Sequence, residues 1–171
     1  CARCSGPTGP EQRAQARQRL GFDDATVHLA TFGYVDLRTK MSDVVLETAA
    51  WLTQWGHRVS LHFAGHASAA DERTLLDRAM QAGVERVEVT GFLTEEQFCD
   101  YLLAIDLGVQ LRISPLLGVS GPLSDLAAWG TPAVASNGLC VDVDTPEYID
   151  RLPDDVSPVT VAEAIERRLA E

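Results

Sequence analysis

The stretch Leu111-Arg-Ile-Ser-Pro-Leu-Leu-Gly-Val-Ser-Gly-Pro-Leu-Ser-Asp-Leu-Ala-Ala-Trp-Gly-Thr-Pro-Ala-Val-Ala-Ser136 decides how the chain is read. It predicts a strand end, a Gly/Ser loop, a short helix from Pro122, a stop at Gly130 and a new strand from Pro132. Pro near the start of a helix and Gly just past its end follow the usual asymmetry of helix termini. A loop feeding a helix N-terminus presents backbone N–H groups without intrahelical partners, and the helix dipole adds to their field. In an α/β protein such a spot lies at the carboxyl edge of the sheet, where phosphate-bearing ligands bind.

Outward from this stretch, strands and helices alternate. Glu11 to Leu20 reads as a helix stopped by Gly21, and Val27 to Phe32 as a strand. Ser42 to Trp55 has the helical spacing of Val45, Leu46, Ala49, Ala50 and Leu52, closed by Gly56. Arg58 to Ala64 is a second strand, Ala69 to Ala82 a helix stopped by Gly83, and Val87 to Thr90 a third strand. Thr94 opens a helix to Ala104 with an N-cap signature. Leu107 to Leu111 and Ala133 to Ser136 are the fourth and fifth strands, and Val161 to Ala170 is the last helix. This order predicts an α/β fold with a mostly parallel sheet and helices on both faces. The strands are short apolar runs, as two-sided burial requires. Cys1 to Pro10 reads as a Gly/Pro-rich linker remnant, and 11–171 as one domain cut from a longer protein.

The chain has 171 residues and a formal net charge of −11, which disfavours nucleic acid and an anionic membrane surface as partners. No apolar run reaches transmembrane length. These features predict a cytoplasmic domain, with any membrane association made through an absent part. Cys1, Cys4, Cys99 and Cys140 form no disulfide framework, and the single C-x-x-C at Cys1 and Cys4 lacks the further ligands of a zinc site. No Walker lysine, G-x-G-x-x-G or G-x-S-x-G motif occurs.

Four loops follow strands and hold the candidates. Gly33 to Lys40 carries the cations Arg38 and Lys40. Together with the helix N-terminus after Arg112 to Gly121, they suit a diphosphate, unless they are solvated surface charges. Asp125, one turn into the short helix, suits ribose hydroxyls, or else complements the helix dipole. His66 follows Gly65 at a strand end and is the histidine best placed to touch a ligand. His28 and His62 lie inside strands and pack, as do Trp51, Trp55 and Trp129 on helices.

Several segments together resemble the C-terminal domain of group 1 (family 4, retaining) GT-B glycosyltransferases. They are Thr31 to Asp36 with Lys40, Leu61 to Gly65, Val89 to Leu93, Tyr101 to Arg112, and Ser120 to Pro132. The ordered set spans about Ala25 to Leu169. The resemblance implies a Rossmann-like half-enzyme that binds a nucleoside diphosphate sugar. An N-terminal acceptor domain would precede it, and no metal or other cofactor is implied. The reaction would be sugar transfer to a glycan or lipid-linked acceptor, as in polysaccharide biosynthesis.

By resemblance, Lys40 (or Arg38) would hold the diphosphate and Phe92 and Leu93 would meet the base. Gly118, Val119, Ser120 and Gly121 would line the phosphates and donor sugar, and Asp125 would bind ribose. The chain departs from the family pattern at two places. Leu117-Gly118 carry no acid where the family has one for the donor sugar, and Tyr34 stands at a usually basic position. Two other readings remain: a non-catalytic glycosyltransferase-like binding module, and another sugar-nucleotide enzyme such as an epimerase, with His66 as its acid/base.

Overall fold

The computed structural model describes residues 9–113, 120–141 and 143–171. The readings at Cys1, Cys4, Leu117, Gly118 and Val119 lie outside them. The chain runs α1 (Pro10–Leu20), β1 (Val27–Phe32), α2 (Ser42–Gln54), β2 (Val59–Ala64), α3 (Ala69–Ala82), β3 (Arg86–Val89) and α4 (Glu95–Ala104). It continues through β4 (Leu107–Gln110), α5 (Gly121–Trp129), β5 (Ala133–Ser136), a short 3-10 turn (Asn137–Leu139), β6 (Ile149–Leu152) and α6 (Pro158–Leu169).

The six strands form one sheet in the order β3-β2-β1-β4-β5-β6, and every pairing is parallel. Strand order therefore reverses between β1 and β4, which defines the switch point of a doubly wound sheet. One face buries Leu29, Leu61, Phe63, Leu107 and Val109 against α2, α3 and α6. The other buries Ala30, Phe32, Ala64 and Ala133 against α4 and α5, with Leu20 and Phe22 closing over it.

Local chemistry explains the element ends. Thr94 Oγ1 accepts the Gln97 N–H while the Gln97 side chain accepts the Thr94 N–H, a reciprocal capping box. Ser68, Ser120 and Ser157 cap α3, α5 and α6 singly, each Oγ accepting one first-turn backbone N–H. α1 is fastened by arginines. Arg13 and Arg17 donate to carbonyls at the end of α4 and to the Asp106 carboxylate, which also accepts the His28 N–H at 2.8 Å.

Three features differ from the sequence reading. β6 was not foreseen, because Ile149-Asp-Arg-Leu152 mixes charged and apolar residues at a sheet edge and shows no apolar run. α6 starts three residues before Val161, at Pro158, behind a Ser157 cap. Trp51 and Trp55 do not pack into the core: they stand 39% and 36% exposed with ring centroids 6.0 Å apart.

Candidate functional site at the carboxyl edge of the sheet

Backbone contacts draw the loops after β1, β2 and β4 together. Gly33 N–H donates to Ala64 O at 3.2 Å, and Val35 N–H to His66 O at 2.9 Å, so the parallel pairing of β1 and β2 continues beyond both strands. Ile113 N–H donates to Thr39 O at 3.2 Å, which ties the loop after β4 to the loop after β1. α5 lies close on β4. A Cβ on Gly108 would meet Leu126 Cδ1 at 2.7 Å, so only glycine lets the helix sit there with its N-terminus over the switch point.

The two cations of the first loop part company. Asp36 accepts the backbone N–H groups of Arg38 and Thr39, both at 2.7 Å, and these bonds hold its carboxyl below the usual range. That turn leaves Arg38 exposed and Lys40 half-buried. Lys40 Nζ lies 4.0 Å from the Cβ position of Gly33, and Pro122 Cγ of α5 lies 3.9 Å from the same point. Burial pushes the Lys40 ammonium pKa down, Arg112 adds to the push, and Asp36 opposes it. Met41, next in sequence, holds the left-handed conformation at φ 49° with its side chain in the core, fixing the backbone beside Lys40.

The first turn of α5 offers fewer free donors than the sequence pattern suggests. Pro122 has no N–H, Ser120 Oγ accepts that of Leu123 at 3.3 Å, and Ser124 N–H bonds to Ser120 O. Gly121 is the helical residue whose N–H keeps no intrahelical partner. Asp125 lies in the second turn, half-buried, and the first turn carries no acid. It therefore does not act as a first-turn dipole acid. Among the described residues its carboxylate has no hydrogen bond or ion pair.

Beside Lys40 lies a mostly apolar cavity of about 250 Å³, lined by Gly33, Tyr34, His66, Phe92, Leu93 and Pro122 among others. The His66 and Phe92 rings stack with centroids 4.7 Å apart and 7° between planes, and Tyr34 lies 6.0 Å from His66. Phe92 is 85% exposed, so this aromatic face is open to solvent. Gly33 and Pro122 line the cavity, and the Lys40 ammonium lies on the Gly33 side of it. Of the sequence candidates, Phe92, Leu93 and His66 line one crevice with Lys40 beside it, Ser120 and Gly121 open α5 at the same edge, and Arg38 is exposed. Arg112 and Gln110, neither singled out from the sequence, stand at the same edge.

His28 and His62 pack as expected, but as a linked pair. His28 Nδ1 is 3.1 Å from His62 Nε2, and His62 Nδ1 is 3.2 Å from Glu88 Oε1, which also accepts the Tyr101 hydroxyl. The Phe22 ring stacks on His28 at 3.9 Å. Cys140 is buried, which raises its thiol pKa. No helix among the described residues is long and apolar enough to cross a membrane, and no group of three or more His, Cys, Asp or Glu is placed to hold a metal ion.

The doubly wound parallel sheet carries an aromatic-lined crevice at its carboxyl edge, formed by the loops after β1, β2 and β3 and the start of α5. The chain has a GT-B-fold, glycosyltransferase-like structure. It is similar to WaaG, a glycosyltransferase involved in lipopolysaccharide biosynthesis, with a TM-score of 0.79 at 18% identity over 95% of this chain and 43% of that one. It is similar to HepE of Anabaena, solved with UDP and glucose, with a TM-score of 0.79 at 19% identity over 96% of this chain and 44% of that one. It is also similar to the C-terminal domain of the group 1 glycosyl transferase LpcC from Francisella tularensis, with a TM-score of 0.77 at 17% identity, covering 93% and 83%. The chain thus spans less than half the length of the first two. No family model matches the chain, and no curated protein matches it either.

Proposed function

We propose that this chain is the donor-binding domain of a retaining glycosyltransferase, taking a nucleoside diphosphate sugar and passing the sugar to a hydroxyl of a glycan or lipid-linked acceptor. The observation that carries the reading is the Lys40 ammonium, half-buried between Gly33 and the first turn of α5, with no carboxylate in ion-pair contact among the described residues. A half-buried ammonium with only the field of Asp36 to offset its desolvation gains from an anion that joins it. The adjoining cavity offers an aromatic face at Phe92 and His66 for the base, and Asp125, in the second turn of α5 and without a hydrogen bond or ion pair among the described residues, is the carboxylate we assign to the ribose hydroxyls. The UDP bound by the fold-related HepE supports the same ligand class here.

In this reading the domain works by positioning and charge stabilisation. As the sugar–phosphate bond breaks, negative charge builds on the departing diphosphate, and Lys40 with the Gly121 N–H offsets it. The acceptor would be held by a second domain across the crevice. A binding-module reading is favoured by one observation, the exposed Tyr34 at a position where the resemblance expects a cation. Substitution separates the two. Lys40→Ala and Asp125→Ala should each weaken nucleoside diphosphate binding more than tenfold, about 1.4 kcal/mol. Unchanged binding in both variants would remove the donor-site assignment.

A further inference from the structure

The carboxyl end of β4, near Lys40, carries a second cation and a buried amide. Arg112 follows β4 by two residues. It is half-buried, and its backbone N–H is held by Ser136 Oγ at 2.9 Å. The bond from Ile113 to Thr39 ties the segment that bears Arg112 to the loop that bears Lys40. Their charges repel, and Arg112 contributes to the lowered pKa of Lys40. Among the described residues neither side chain forms an ion pair, a condition shared by exposed arginines such as Arg38, but both of these are half-buried. The chain has 25 acidic residues against 14 lysines and arginines. An acid-rich chain that keeps two adjacent cations unpaired maintains a local positive field against its own net charge.

Gln110 is the second observation. It is 3% exposed, and its Nε2 is buried with no hydrogen-bond partner among the described residues. Leaving such a group unsatisfied destabilises the fold. Residues two apart on a strand share a face. Gln110 therefore lies on the side of β4 that bears Gly108, where Leu126 of α5 closes on the sheet. It is one layer nearer the carboxyl edge, beneath the first turn of that helix.

We propose that Arg112 and Gln110 complete the phosphate-binding side of the crevice, with β4 adding a second cation and an amide donor to the diphosphate held by Lys40. The inference rests on the donor-site reading for its nucleotide, but its anion chemistry can be tested alone. Two cations and two N–H donors from different elements match two linked phosphoryl groups better than one.

The test is calorimetric titration of the chain with inorganic pyrophosphate and, separately, with UDP, GDP and ADP, using wild type, Arg112→Gln, Arg112→Lys and Gln110→Leu. Arg112→Gln should weaken pyrophosphate tenfold or more, and Arg112→Lys should stay within about threefold of wild type. Gln110→Leu should weaken pyrophosphate several-fold while raising the melting temperature, because it removes an unsatisfied buried amide. A purely structural glutamine would lower both. Pyrophosphate binding that is indifferent to Arg112→Gln and Gln110→Leu would overturn the proposal. Arg112-dependent pyrophosphate binding without binding of any nucleotide would sustain this anion site and remove the donor reading. Nucleotide binding unchanged in Arg112→Gln would do the reverse. Wild type that binds neither class would remove both.

Discussion

A Cβ on Gly65 would stand 1.8 Å from the carbonyl oxygen of Gly33, so the loops leaving β1 and β2 touch backbone to backbone. Gly33 itself lies at φ 102°, a conformation open in practice to glycine alone. This contact sets how far Tyr34 stands from His66 and shapes one wall of the aromatic cavity. Gly65→Ala cannot be relieved by a rotamer change, because the opposing atom is backbone. We expect it to cost about 3 kcal/mol or more. Urea denaturation would read the loss, and a cost under 1 kcal/mol would show that the two loops can separate freely.

Gly108 and Leu126 make a similar contact between sheet and helix. Leu126 is fully buried and cannot swing away, so Gly108→Ala should displace the start of α5 and cost about 1–3 kcal/mol. Leu126→Ala alone should cost about 2–5 kcal/mol. Because the new methyl would occupy the space Leu126 vacates, the double variant should be less destabilised than the sum of the two. Strict additivity in a double-mutant cycle would contradict this packing.

The first loop separates its two cations, and ligand binding should follow. Arg38→Ala should change nucleoside diphosphate affinity less than about twofold, since exposed, solvated charges contribute little, whereas Lys40→Ala removes the half-buried ammonium. Parallel titrations of the two variants decide the matter. An Arg38→Ala defect as large as that of Lys40→Ala would mean the loop rearranges around its ligand.

His28 predicts an acid-sensitive fold. Burial, then the neighbouring His62 and Arg17, push its pKa down to about 4, so the folded chain keeps it neutral. The unfolded chain takes up that proton near the ordinary value of about 6.5. Stability from this residue is therefore complete above about pH 6.5, falls as pH drops, and levels off below about 4, a loss of order 3 kcal/mol. Denaturation midpoints measured from pH 7 to 4 should decline with wild type and decline less with His28→Gln. Equal slopes for both would place the acid sensitivity elsewhere.

The framework was legible because its punctuation is local. Gly21, Gly83 and Gly130 end helices in the left-handed conformation, Thr94 and Gln97 form a capping box, and the apolar runs of β1, β2 and β5 match the paired strands. What escaped depends on tertiary contacts. The mixed sequence of Ile149–Leu152 becomes a strand through pairing with β5, and the Trp51 and Trp55 surface is decided by what α2 faces. At the site, sequence brought forward Lys40, His66 and Phe92 but left Lys40 and Arg38 equivalent. Only the Asp36 turn separates them. Arg112 and Gln110 had no motif to mark them; their signal is an unpaired charge and an unpaired amide, visible only in three dimensions.

In the proposed function a nucleoside diphosphate binds in the crevice that the loops after β1, β2 and β3 form with the start of α5. NMR titration of the chain with UDP, GDP, ADP and their sugars tests it most directly. The account predicts saturable binding of one nucleotide series, with shifts at residues 38–40, 110–112 and 120–125 and little change along the β6 edge. A folded chain whose spectrum is unmoved by every one of these ligands would contradict it.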